Sequence, residues 1–180
     1  MANIVVYLHK TSEMCIFVHI LSPKIMIELT LQRLTSTGWT PGRKVDISPI
    51  AKAYAEAGMV LPEKLREFFT EFAFLTIRYD IQHTELERHT LNPVSDFLNY
   101  SKDDFEHLFD DYEVFGTAYP VGFAYRGNMT IYYHDDGNFY IFMEPNPLYR
   151  CGKTADSLLN GLFGGDKSEW VNLDEETGLL

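Results

Sequence analysis

Carboxylates are the chemistry-bearing side chains that this chain holds in excess. Residues 101–115 read SKDDFEHLFDDYEVF and carry six of them: Asp103, Asp104, Glu106, Asp110, Asp111 and Glu113. Paired carboxylates can do acid–base work, but so many candidates in one stretch single out no pair. A second group is HTELERH, with His83, Glu85, Glu87 and His89. Its spacing is not His-Glu-x-x-His, and on a helix two histidines six apart lie about 120° from alignment, so shared metal ligation is not expected. HDDGN, residues 134–138, lacks the alternating oxygen ligands and distant Glu of an EF-hand loop and reads as a hairpin turn. Neither a Gly-x-Ser-x-Gly elbow nor a phosphate-binding Gly-rich loop occurs, and GLFGG at 161–165 follows a helical pattern instead of opening one. These residues predict no enzyme, no cofactor and no metal site.

The whole chain narrows the function further. Its 180 residues suit one domain with a real core. The net charge of −11 is unevenly placed: residues 1–90 hold ten Lys/Arg and ten Asp/Glu, residues 91–180 five and sixteen. Such a balance argues against non-specific binding to nucleic acid or anionic lipid and favours a basic partner or none. Two cysteines, Cys15 and Cys151, make no disulfide framework and read as reduced thiols of a cytoplasmic protein. In residues 1–25, IVVYL and IFVHIL are short apolar runs split by HKTSEM, which predicts neither a signal peptide nor a membrane anchor. Those residues are either an upstream extension of the gene model or an added β-hairpin.

The elements that must position the carboxylates are legible in outline. Ile27, Leu31 and Leu34 recur at helical spacing, and Gly38 falls where a C-terminal cap belongs. SPIAKAYAEAG predicts a second helix closed by Gly58. After Pro62, Leu65, Phe68, Phe69 and Phe72 make the apolar stripe of a third. FLTIRYDI predicts a strand. YRGNMTIYYHDDGNFYIFM predicts a hairpin on a tight type I′ turn at Asp136-Gly137, with Tyr132, Phe139 and Tyr149 open to either core or surface roles. Thr154 caps a last helix with Ala155, Leu158, Leu159 and Leu162 inward; beyond Gly165 an acidic tail, 166–180, reads as a loosely docked end. Helices flanking clustered strands predict the α+β class.

Residues 101–115 read as one helix opened by a Ser101/Asp104 capping signature. Phe105, Leu108, Phe109, Tyr112 and Phe115 then fall within an arc of about 120°, and the six carboxylates line the remainder. Like-charge pairs such as Asp103/Glu106 and Glu106/Asp110 cost roughly 0.2–0.5 kcal/mol each. Asp110, Asp111 and Glu113 also crowd a helix C-terminus, where the dipole favours cations. A face that costs stability in this way reads either as a solvated surface or, the preferred expectation, as one that binds a partner.

TSTGWTPGRKVDI, residues 35–47, concentrates Gly and Pro around Trp39. Gly38 reads as a helix cap, Pro41-Gly42 as a turn, Trp39 as a core anchor, and Arg43 as a partner of a carboxylate or of nearby carbonyls. Together with LPEKLREFFTEFAFLTI, YPVGFAYRGNMTIYYHDDGNFYIF and TADSLLNGLFGG, this stretch resembles the third immunity group of the SUKH superfamily over roughly residues 27–165. One departure is Phe72-Ala73-Phe74-Leu75, where the family usually reads Phe-Gly-Gly-Leu, which puts the local backbone geometry in question. The resemblance implies a single α+β domain at 26–165 with a twisted, mostly antiparallel sheet and packed helices, and no enzymatic activity. It also implies a cytoplasmic immunity protein that neutralises a polymorphic bacterial toxin domain, a nuclease or other nucleic-acid-modifying enzyme. The wider superfamily leaves a non-enzymatic adaptor as the alternative. An acidic segment meets this implication, because an enzyme acting on nucleic acid presents a basic cleft.

Overall fold

The computed structural model describes residues 26–81, 85–94 and 101–177. Three helices come first: α1 (Glu28–Ser36), α2 (Ser48–Glu56) and α3 (Glu63–Phe72). Left-handed glycines follow the first two, Gly38 at φ 89° and Gly58 at φ 76°, where the helical pattern ends. In α3 the predicted stripe of Leu65, Phe68, Phe69 and Phe72 is buried throughout. The strands are β1 (Thr76–Ile81), β2 (Glu85–Thr90), β3 (Ala118–Ala124), β4 (Met129–His134), β5 (Phe139–Phe142), β6 (Leu148–Arg150) and β7 (Val171–Asn172). They form one seven-stranded sheet in sequence order, every neighbour antiparallel. Short helices interrupt it: α4 (Lys102–Glu106) before β3, α5 (Ala155–Leu159) before β7, and α6 (Leu173–Thr177) after it. The class is α+β, with an open antiparallel meander carrying the helices.

At its centre the sheet is a middle layer, covered on both faces. All eight residues Ile131–His134 and Phe139–Phe142 are buried. Because strand side chains alternate, they serve two cores. Phe139 meets Phe68 of α3 at 5.3 Å, while Tyr132, Tyr140 and Phe142 surround Phe109 on the other side at 5.4, 5.3 and 5.5 Å. Tyr132 and Phe139 are therefore core residues of opposite faces, and Tyr149 is half-buried, 6.3 Å from Trp170.

The Gly- and Pro-rich stretch is a corner. Trp39 is buried and stacks on Phe72 at 6.1 Å. Arg43 donates to the carbonyls of Glu71 (2.7 Å) and Ala73 (3.0 Å), satisfying acceptors that the end of α3 leaves open. At the departure just beyond, Phe74 takes a left-handed φ of 63° while its N–H donates to Leu91 O at 2.8 Å. The turn thus keeps a glycine-like conformation without glycine, at a cost of about 1–2 kcal/mol.

Two local expectations are corrected. The β4–β5 connection is not a two-residue type I′ turn. Gly137 N–H donates to His134 O (2.8 Å) and His134 N–H to Asn138 O (2.9 Å), so the loop is Asp135-Asp136-Gly137 with Gly137 at φ 85°. That is the three-residue hairpin whose last position needs left-handed backbone. Nor is the acidic end loosely docked: β7 pairs with β6, Leu173 is buried, and Asp174 is fully buried, accepting from Leu148 N–H at 2.9 Å. One buried leucine and one satisfied carboxylate tie it down without any helical periodicity.

Candidate partner-binding surface

The acidic segment is not one helix. After the five residues of α4 the backbone leaves helical geometry at His107 and Phe109, resumes as a 3₁₀ turn over Asp110–Tyr112, and stops at Glu113 with a left-handed φ of 58°. Two forces favour the break. Carboxylates repel one another and the C-terminal dipole of a longer helix, and three aromatics must reach the sheet together. Phe105, Phe109 and Tyr112 achieve this and are buried, and Tyr112 OH donates to Pro145 O at 2.8 Å. Leu108 is only half-buried, and Phe115, expected on the inward arc, is 72% exposed.

The six predicted carboxylates part company once their partners are counted. Asp104 closes the predicted capping box, accepting from Ser101 N–H (2.7 Å) and Ser101 Oγ–H (2.9 Å), which holds its carboxyl below the usual range. Glu106 pairs with Lys102 at 2.6 Å, and its hydrogen bond raises the lysine's pKa. Asp110 Oδ2 lies 2.9 Å from His107 Nδ1, while its Oδ1 is shielded from solvent with no donor. The side chains of Asp103, Asp111 and Glu113 are exposed and make no hydrogen bond or ion pair with the described residues, though the charge of Asp103 acts on Lys102.

Between this segment and the start of β3 lies a cleft of about 370 Å³, lined by Glu106, His107, Asp110, Phe115, Gly116 and Thr117. The register Ala118↔His134 brings the β4–β5 loop beside it. Asp135 accepts from Thr117 N–H and Tyr119 OH, both at 2.9 Å. Burial opposes its charge, but those bonds outweigh it and its carboxyl stays below the usual range; burial, with the same carboxylate, pushes Tyr119 up to about 12. Asp136 is likewise desolvated, yet bonds from His134, Asn138 and Tyr140 hold it well below the usual range. Asp135, Asp136, Phe115 and Gly116 were not among the predicted site residues. The tandem Asp-Asp of the hairpin loop was a usable signal, but placing it beside residues 106–117 requires the β3–β4 register.

His89 is no ligand. HTELERH is strand and not helix from Glu85 to Thr90, and His83 lies outside the described residues. The His89 ring is fully buried, with Tyr79 OH 3.1 Å from Nε2 and Tyr125 N–H donating to Nδ1 at 3.4 Å. Burial, then the charges of Arg33 and Lys167, lower its pKa from 6.5 to about 4. Among the described residues, no group of three or more His, Cys, Asp or Glu is placed to hold a metal, and no helix is long and apolar enough to cross a membrane. Cys151 is buried, which pushes its thiol well above the ordinary range and leaves it a packing residue.

Comparison with known proteins agrees with the resemblance drawn from the sequence. A family model described as SUKH-3 immunity protein matches residues 26–165. No curated protein and no solved structure matches the chain.

Proposed function

Since the chain belongs to the SUKH-3 immunity protein family, we propose that it neutralises a cognate toxin domain in the cytoplasm through the acidic surface of residues 101–115. The observation that supports the surface assignment is the set of exposed carboxylates: the side chains of Asp103, Asp111 and Glu113 face solvent without a hydrogen bond or ion pair to the described residues, and Asp110 keeps one oxygen unpaired. Exposed charges that the fold does not pair are available to a partner of opposite sign. The partner is a basic protein, a nuclease or another nucleic-acid-modifying toxin, whose cleft attracts phosphates and would equally attract this face. Inhibition then proceeds by occupancy: the protein binds, excludes substrate and turns nothing over, and it needs neither cofactor nor metal. The domain that does this spans 26–165 together with the chain that follows it, which β7, Leu173 and Asp174 tie to the same sheet.

The test is co-expression with the C-terminal domain of a secreted toxin encoded beside this gene. Wild-type protein should rescue host growth, and a variant neutralised at Asp103, Glu106, Asp110 and Asp111 together should lose rescue. The association rate of the purified pair should fall by roughly tenfold or more between low and high salt. Rescue and kinetics untouched by the four neutralisations would move the interface elsewhere; no rescue from a domain proven toxic would remove that toxin as the partner.

A further inference from the structure

We propose that Asp174 is a positioning residue for the acidic surface: acting through Tyr112, it fixes the direction in which Asp111 and Glu113 face the partner, an inference that rests on the acidic-surface reading. Asp174 and Glu175 are neighbouring carboxylates with opposite fates, the first fully buried and the second exposed. β7 sets that difference. Asn172 pairs with Tyr149 of β6, and its Oδ1 accepts from Asp174 N–H at 3.2 Å. α6 therefore starts against β6 and against the 3₁₀ turn Asp110–Tyr112. Asp174 Oδ2 accepts from Leu148 N–H at 2.9 Å, and Oδ1 lies 3.3 Å from Tyr112 OH. One carboxylate thus joins a β6 amide to the acidic segment, from beyond residue 165, where the family match ends.

Tyr112 is the far anchor of that segment. The residues on either side of it, Asp111 and Glu113, are exposed, and the backbone bonds around it are local. Tyr112 and Val114 N–H donate to Phe109 O at 3.0 and 3.2 Å, and Glu113 N–H to Asp110 O at 2.9 Å. Bonds of such short span shape the turn but do not orient it on the sheet. Orientation comes from the Tyr112 side chain. Its ring meets Phe142 at 6.1 Å, and its hydroxyl lies between two acceptors, Pro145 O at 2.8 Å and Asp174 Oδ1 at 3.3 Å. Burial, then the Asp174 charge, push Tyr112 up to about 12, so the hydroxyl keeps its proton and remains the donor shared by both. The chain leaves the turn at Glu113 with a left-handed φ of 58°, so a rotation at Tyr112 carries the carboxylates of Asp111 and Glu113 with it. Steering of a basic partner depends on where those charges point.

Three substitutions in the full-length, ¹⁵N-labelled protein separate the link from the charge. Tyr112→Phe removes the hydroxyl and no charge. Asp174→Asn removes the charge and weakens the link, and Glu175→Gln removes a charge one residue on and leaves the link intact. Asp174→Asn, 62 positions away in sequence, is expected to shift the amides of residues 110–114. It and Tyr112→Phe should each speed hydrogen exchange of the Glu113 and Val114 amides about fivefold, the loss of one hydrogen bond. The double variant should exceed either single by no more than about twofold, because both cut the same bond. With the toxin domain encoded beside this gene, Tyr112→Phe and Asp174→Asn should each lower the association rate about threefold at low salt, and Glu175→Gln should lower it less. Amides at 110–114 untouched by Asp174→Asn, fully additive effects on exchange, or wild-type association by Tyr112→Phe would overturn the assignment. The exchange measurement involves no toxin, so its failure removes the positioning role alone, whereas rescue that ignores the four neutralised carboxylates removes the acidic surface.

Discussion

Acid should weaken this fold through His89 before it weakens it through any carboxylate. Tyr79 OH donates to Leu162 O at 2.9 Å, so its oxygen accepts from His89 Nε2–H, while Nδ1 accepts from the Tyr125 amide. The neutral ring satisfies every partner; adding a proton to Nδ1 would set two donors face to face. Around the ring stand Phe163, Tyr125 and Tyr79, with Arg33 3.6 Å above the Tyr79 ring and Lys167 5.4 Å from that of Tyr125, both cations that oppose a further charge. The pKa is lowered from 6.5 to about 4, so the unfolded chain takes up the proton first. Stability is therefore unaffected above about pH 7.5, declines as pH falls through 6.5, and reaches its full loss below about pH 4, roughly 3 kcal/mol in all. Between pH 7.5 and 4.5 the loss from this one group is about 2.5 kcal/mol. Urea unfolding of the wild type and of His89→Gln at several pH values isolates it, because the titrating carboxylates are common to both. The difference between the two should shrink by that amount toward pH 4.5. A difference that stays flat with pH, or an imidazole resonance that titrates near 6.5 in the folded protein, would refute the reasoning.

Two further predictions concern packing. A Cβ at Gly122 would lie 2.1 Å from Thr90 O, where β2 and β3 meet, so Gly122→Ala should cost about 3 kcal/mol or more in chemical denaturation; a loss under 1 kcal/mol would mean that the two strands can part without penalty. A Cβ at Gly161 would lie 2.2 Å from the Trp170 ring, so Gly161→Ala should cost roughly 1–3 kcal/mol. Trp170→Ala should then abolish most of that cost, and additivity of the two substitutions would show that residue 170 does not press on the π-type turn at Asn160–Gly164.

Local signals of one period or one turn were legible without a structure. The stripe Leu65, Phe68, Phe69, Phe72 and the caps Gly38, Gly58 and Thr154 each depend on neighbours a few residues away or on a residue type with one conformational use; of the two partners open to Arg43, carboxylate or carbonyl, the carbonyls of Glu71 and Ala73 were decided by the fold. The family was legible for a related reason: four such blocks in a fixed order carry more information than any of them alone, and the family match covers the same region. Residues 101–115 misled because amphipathic periodicity cannot register a break. Phe105, Phe109 and Tyr112 keep their predicted burial, but the turn at His107–Phe109 rotates the chain beyond it and sends Phe115 outward.

What the sequence determined by itself is the set of local elements, the α+β class and the asymmetry of charge, since these depend on side-chain type and spacing along the chain. Only the tertiary structure decided that β4 and β5 are buried on both faces, which makes Tyr132 and Phe139 core residues of different layers. It also decided that the hairpin loop of Asp135 and Asp136 stands beside Gly116 and Thr117, and that Asp110 and His134 each keep an unpaired atom there. The reason is physical. Strand register and layer stacking juxtapose residues some twenty positions apart, and the cost of an unsatisfied buried atom exists only once its surroundings are closed.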